Sequence, residues 1–169
     1  ASHLCGLMWQ SAVKLDKSMT TIAYRGTGPA MNDLIGGQVD VMCDQTTNTT
    51  SQIEAGRVKA FAVTTAKPLS GHKLLKDYPS LQDMGLKGFN LTIWHAMYAP
   101  KGTPPDVTKK LNEALQAALK DPEFIKRQQD LGAMVVSDAR VTPAGHKAFV
   151  AGEITKLKTA IEAAGQFAD

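Results

Sequence analysis

Side chains able to carry out covalent or proton-transfer chemistry are few, and their spacing does not suit it. Histidines stand at His3, His72, His95 and His146, and neither HExxH nor GxSxG occurs, so no zinc pair and no nucleophile elbow is encoded. They read as solvent-facing or structurally hydrogen-bonded residues. Asp40 and Asp44 are the close carboxylate pair of one apolar stretch, and their even spacing puts them on one face of a strand. A solvated Asp40 and a binding Asp44 fit better than an acid–base dyad. Cys5 and Cys43 have no His or Cys neighbour at metal-ligand spacing. The sequence therefore calls for no metal and no cofactor. The two cysteines read first as buried free thiols, with a disulfide in an oxidising compartment as the alternative.

Another chemistry is available where glycine and small hydroxyl residues open helices. Gly26-Thr27-Gly28 lies between a β-prone run and a helix, yet it is neither GxxxxGK[ST] nor GxGxxG. Backbone N–H groups at a helix N-terminus carry partial positive charge and accept an anion. Ser2-His3, and the Thr46-Thr47-Asn48-Thr49-Thr50 segment after Asp44, offer the same feature. Three such junctions would meet at one end of a parallel sheet, the edge where open α/β sheets bind ligands. The plainer alternative is that the hydroxyls only cap their helices. Trp9 reads as a core aromatic, and Trp94 as core or ligand wall.

The elements that must hold these residues alternate. An apolar stripe through Leu4, Leu7 and Met8 predicts a helix over 2–15, ended at Asp16-Lys17-Ser18. Strands are expected at 20–24, 39–43 and 59–64, with helices at 29–35 and through Ile53 to Ala55, closed by Gly36-Gly37 and Gly56. That rhythm is of βαβ units making a parallel sheet. A long β-prone run over 89–98 ends in Ala99-Pro100-Lys101-Gly102-Thr103-Pro104-Pro105, the best internal boundary. Beyond it Thr103 should cap a helix carrying Val107, Leu111, Leu115 and Leu119; Asp121-Pro122 should open another, and Thr142-Pro143 a last one reaching about Ala164 before Gly165. A short strand is expected at 134–136. The fold class is thus α/β: a sheet-based lobe over 1–92, a crossing over 93–104 and a mostly helical part over 105–169. The helical part needs a partner for its apolar faces, either another copy or a missing N-terminal half.

Composition agrees. The 169 residues are 43% hydrophobic and 21% charged, ordinary for a globular chain. Lys plus Arg number 19 against 16 Asp plus Glu, and the net +3 is scattered, so nucleic acid is not an expected partner. No run approaches the roughly 20 apolar residues of a membrane helix, and mean hydropathy is -0.17. No signal peptide is visible, and the abrupt opening suggests that the start of a longer chain is missing.

Tyr24-Arg25-Gly26-Thr27-Gly28-Pro29-Ala30, Asp33-Leu34-Ile35-Gly36-Gly37-Gln38-Val39-Asp40 with Asp44 following, Ala55-Gly56-Arg57-Val58-Lys59-Ala60, Ala99-Pro100-Lys101-Gly102-Thr103-Pro104-Pro105 and Leu131-Gly132-Ala133 come in family order and spacing. With them the chain resembles the Bug-type extracytoplasmic solute receptors of tripartite tricarboxylate transporters. The resemblance implies a two-lobed type II periplasmic binding fold, a periplasmic location, a small carboxylated ligand, a membrane permease as partner and no enzymatic activity. It also implies that about half of the ligand site lies outside this chain. The residues it points to are Ser2 and His3 at the first helix, Thr27 and Gly28 in the glycine turn, Asp44 with Thr46 at the next junction, and Trp94 in the crossing. Asp44 would accept from a ligand hydroxyl or amine, or orient a water. Cys5, Cys43 and Arg25 depart from the family pattern and bear on ligand identity. Rival readings are a small Ser/Cys-dependent hydrolase, resting on Ser2-His3 and Cys43-Asp44, and a dimerising interaction module.

Overall fold

The structure, a computed structural model, describes residues 2–15 and 17–164. Its helices are α1 (Ser2–Ala12), α2 (Thr27–Ile35), α3 (Thr46–Glu54), α4 (Pro105–Ala118), α5 (Pro122–Asp130) and α6 (Pro143–Ala164). Short 3-10 turns occupy Leu75–Asp77 and Ala139–Val141. Every helix expected from periodicity is present. The expected stops at Asp16 and Gly165 lie outside the described residues. Backbone contacts divide the chain into residues 1–93 and 94–169.

In the first unit, Cys5, Met31, Leu75, Phe89 and Leu91 are buried, as is Ser80, which no solvent reaches. Burying Ser80 is tolerable because its hydroxyl donates to Asp83 Oδ2 at 2.8 Å, and the same oxygen accepts from Ser80 N at 3.0 Å. Those two bonds hold the Asp83 carboxyl below its ordinary pKa. His72 is buried too, and its Nδ1 accepts from Leu74 N and Leu75 N at 3.1 and 3.0 Å, closing the loop onto the first 3-10 turn. Tyr24 donates to Asp33 Oδ2 at 2.6 Å, which fastens the segment before α2 to that helix and raises the tyrosine's pKa.

The parallel sheet is the main correction. Among the described residues there is no ladder, only one isolated parallel bridge, Val63 to Ser80. Val63 N donates to Pro79 O and Leu81 N to Val63 O, while Leu91 N and Thr64 O meet at 3.0 Å on the other side. The runs 20–24, 39–43 and 134–136 do not pair as strands, and Ile22, Val41 and Met134 are 52%, 42% and 85% exposed. Alternation of residue types reports local β preference; pairing depends on distant segments, which no local pattern encodes.

The second unit is helical. Asp121 caps α5, its side chain accepting from Phe124 N at 2.8 Å, and Pro122 fills the position where a missing N–H costs nothing. Thr142 caps α6 in the same way, accepting from Gly145 N at 3.1 Å. Thr103 does not cap α4: its hydroxyl donates to Pro100 O, and Pro104 occupies the cap position. The α4 stripe is only partly covered, with Val107 and Leu111 41% and 42% exposed. Asn112 Nδ2 donates to Val141 O at 2.9 Å, tying α4 to the turn that leads into α6.

Two glycines of α6 make opposite demands. A Cβ on Gly145 would lie 1.9 Å from Ala139 O, so the helix and the preceding turn meet closely only because that atom is absent; at Gly152 nothing lies within 4 Å. Gly145→Ala should therefore cost about 1–3 kcal/mol by overpacking, whereas Gly152→Ala should stabilise by about 0.5–1 kcal/mol through helix propensity. Denaturant unfolding of both variants checks this, and equal shifts of the same sign would contradict it. The turn before α6 also carries Asp138, whose carboxylate accepts from Arg140 Nε and Nη2 and from Arg140 N. These bonds lower its pKa from 3.8 to about 2. The pair's contribution to stability is complete above the unfolded value near 4 and is lost as pH falls through about 2. A carbon-detected NMR titration should find that low midpoint, and Arg140→Gln should return it toward 3.8; an ordinary midpoint in the parent protein would refute the contact.

Candidate functional site

Three helix mouths converge in the first unit. Ser2, the first residue of α1, donates through Oγ to Asp44 Oδ1 at 2.7 Å. Asp44 lies just before α3, and its other oxygen, Oδ2, accepts from Asn48 Nδ2 at 3.3 Å. The same Asn48 nitrogen donates to Thr27 Oγ1 at 3.0 Å, and Thr27 opens α2. Residues 2, 27, 44 and 48, with bonded partners up to 42 positions apart in sequence, thus form one hydrogen-bonded set, all half-buried. Ser2, Thr27 and Asp44 are brought together as the sequence analysis expected.

Hydrogen-bond direction gives the set a polarity. An ionised Asp44 can only accept, which fixes Asn48 with its amide nitrogen toward it. That nitrogen then makes Thr27 Oγ1 an acceptor, leaving the Thr27 hydroxyl proton uncommitted. Ser2's proton, by contrast, is spent on Asp44. The arrangement therefore presents a donor at the α2 mouth.

The helix starts reinforce this. Gly26, at φ 100°, is the N-cap of α2 and brings no side chain to its first turn; Gln45, the N-cap of α3, makes no side-chain cap bond either. Thr27 is thus a first-turn residue and not the cap that the sequence analysis expected. The plainer alternative, that these hydroxyls only cap their helices, does not hold at α2, where the first-turn N–H groups of Thr27 and Gly28 keep their partial charge for another acceptor. The contrast with Asp121 on α5 and Thr142 on α6 is direct, since both of those helices cap themselves. Gly28 is exposed beside Thr27, and Thr46 is half-buried at the mouth of α3.

Other expected residues lie elsewhere. His3 is exposed on the first turn of α1 and takes no part in this set. Trp94 belongs to the second unit, where its ring packs edge-on against His146 and Phe149 with 5.6 Å between centroids. There it lines an apolar cavity of about 300 Å³ with Val150, Ile154, Leu157 and Ile161 of α6. Asn48 is the site residue that sequence reasoning missed. Its signal was available: an amide four residues after Asp44, on the third position of the helix that follows.

Cys5 and Cys43 form a disulfide, contrary to the reading as free thiols. Their Cα atoms lie 6.0 Å apart because α1 and the segment before α3 meet at the Ser2–Asp44 contact. With Cys43 bonded, the proposed cysteine nucleophile has no thiolate to offer. Among the described residues no cluster of His, Cys, Asp and Glu could hold a metal, and no helix is long and apolar enough to cross a membrane.

Known proteins share this arrangement of sequence. A family description, "Tripartite tricarboxylate transporter family receptor", matches residues 3–166. A relative in Agrobacterium vitis, the "UPF0065 protein in the TAR-I ttuE-ttuC' intergenic region", is 46% identical across 98% of this chain and 46% of its own length. Among solved structures, that of periplasmic binding protein BugD is similar at a TM-score of 0.88 with 48% identity, covering 98% of this chain and 53% of that one. MatC from Rhodopseudomonas palustris, solved with bound malate, is similar at a TM-score of 0.86 with 32% identity, covering 95% of this chain and 53% of that one. The chain thus spans about half the length of the relatives it matches. From a match running over nearly its whole extent, the chain belongs to the receptor family of the tripartite tricarboxylate transporters.

Proposed function

We propose that the α1–α2–α3 face is one side of a binding site for a small carboxylate, captured in the periplasm for the membrane permease of a tripartite transporter. In this reading residues 1–92 are the second lobe of a type II periplasmic binding fold, 93–104 cross between lobes, and 105–169 add helices to the first lobe. The observation that carries it is the uncapped mouth of α2, with the Thr27 proton free, set beside the mouths of α1 and α3 by the Asp44 network.

The ligand class follows from charge. Helix mouths attract anions, and the closest polar hydrogen is a hydroxyl proton, which suits a carboxylate oxygen. The malate in the related MatC structure supports the same class. Asp44 acts here as an internal organiser, since Ser2 and Asn48 already occupy its two oxygens. His3, Gly28 and Thr46 border the site by their places at the three helix mouths. Binding without catalysis fits this geometry: Ser2 Oγ engages a carboxylate and not an imidazole base, and Cys43 is oxidised. The disulfide also suits an oxidising compartment.

Magnitudes select the experiment. Three helix mouths supply about 1–3 kcal/mol and one charge-assisted hydrogen bond about 1.5–3, so this side alone should bind with a dissociation constant between about tens of micromolar and tens of millimolar. Amide chemical shifts detect binding in that range. On titration of the labelled chain with malate, signals of Thr27, Gly28 and 46–48 should move and saturate, while glucose leaves them in place. Thr27→Val should weaken binding about 10- to 100-fold by removing the hydroxyl donor, and Thr27→Pro, which also deletes an N–H, at least as much. Unmoved signals with every carboxylate tried, or equal affinity for Thr27→Val and parent, would overturn the proposal.

A further inference from the structure

The disulfide stands next to the Asp44 network at both of its ends. Cys43 immediately precedes Asp44, and Cys5 lies one helical turn after Ser2, on the same side of α1. Cys5 is only 4% exposed. We propose that Cys5–Cys43 is a positioning element of the binding face: a covalent brace that sets the distance between the mouth of α1 and Asp44, and through Asn48 the placement of Thr27. What the face binds rests on the carboxylate reading above; that the brace positions it does not.

The argument turns on what else could hold Asp44 in place. In an α/β lobe the end of a strand is fixed by its ladder. Here residues 41–44 make no backbone hydrogen bond to another segment among the described residues. Asp44 is held by side-chain bonds to Ser2 and Asn48, and Asn48 belongs to the helix that follows it directly, so it moves with Asp44. Asp44 itself is thus tied to α1 by the hydroxyl–carboxylate bond to Ser2, and its neighbour Cys43 by the disulfide, which closes a separation of 38 residues. Once the covalent link exists, the entropy of bringing those ends together is already spent, and a single hydrogen bond suffices to set the register. Without it the Ser2–Asp44 bond must hold the segments by itself against water. The loss should spread to Asn48 and Thr27, which are hydrogen-bonded to neither cysteine among the described residues, because Asp44 fixes the orientation of the Asn48 amide.

The test compares the oxidised chain with the chain reduced by dithiothreitol. That reagent passes two electrons and two protons to the disulfide, giving two thiols and the cyclic oxidised reagent. Two readouts are taken well below the unfolding temperature: the Asn48 side-chain amide signal without ligand, and the malate affinity from amide shifts. On reduction the Asn48 signal should move and its contact with Thr27 weaken; affinity should fall about tenfold or more, with signals of α4 and α5 unchanged. Re-oxidation should restore both. A purely structural role would lower the unfolding temperature while leaving the Asn48 signal and the affinity where they were, and that result overturns the proposal, as does a change in affinity with Asn48 unmoved. A moved Asn48 signal with no carboxylate binding in either form would uphold the brace and defeat the carboxylate reading. If reduction unfolds the first unit, the pair Cys5→Ala/Cys43→Val replaces it, and a native Asn48 signal with parental affinity in that variant is again the contrary outcome.

Discussion

Asp44 accepts one O–H and one N–H, and the rest of the binding face follows from those two bonds. A half-buried carboxylate must find donors or lose much of its solvation. Here the donors come from the starts of two helices, so satisfying the anion fastens α1 to α3. Because Asn48 must turn its nitrogen to Asp44, it can only donate to Thr27, whose own hydroxyl proton remains available as a donor. An internal anion thus decides the polarity shown to an external one. It also limits where that external anion can sit. Two carboxylates about 6 Å apart repel by roughly 0.7 kcal/mol in bulk water and about 3 kcal/mol at an effective dielectric near 20, comparable with everything three helix mouths supply. On the proposed reading, the ligand charge is best held on the α2 side, against Thr27 and Gly28, with Asp44 behind.

Capping differs from helix to helix: in the second unit α4, with Pro104 at its cap position, makes no side-chain cap bond. In the second unit α5 and α6 cap themselves with Asp121 and Thr142, and the exposed ion pairs along α4 to α6, such as Lys126–Asp130, are of the kind that adds little stability. In the first unit the N-caps of α2 and α3 make no side-chain bond to their helices. Against a Ser or Asp cap, Gln45 forgoes about 0.5–2 kcal/mol at α3, whereas Gly26 forgoes only about a few tenths of a kcal/mol at α2. On the proposed reading, a face that takes up and releases a charged solute has a use for such unspent donors.

Legibility in the sequence divides along the same physical line. Helices were readable because their signals are local: the stripe of α4, Pro122 after Asp121, and Pro143 after Thr142 all mark elements found at those places. Ser2, Thr27 and Asp44 were readable as junction residues, and the family resemblance sharpened the choice. What failed was non-local. The strands were anticipated from β-prone runs, but the one bridge among the described residues joins Val63 to Ser80, a residue in a stretch that looked like loop. Cys5 and Cys43 looked like isolated thiols because nothing in their neighbourhoods shows that α1 returns to the start of α3. Asn48 was passed over within a run of threonines, since its importance depends on Asp44 and Thr27 meeting it from opposite sides. Thr27 itself was placed one position too early, as a cap, because Gly26 in a left-handed conformation could take that role instead.

The most direct test of the central claim is a crystal structure of the chain soaked with malate at a concentration well above its dissociation constant. Convergent helix mouths predict difference density for a carboxylate within hydrogen-bond distance of Thr27 Oγ1 and the first-turn amides of α2. A fully occupied ligand seated elsewhere, with the Thr27 hydroxyl turned inward to a protein acceptor, would contradict it.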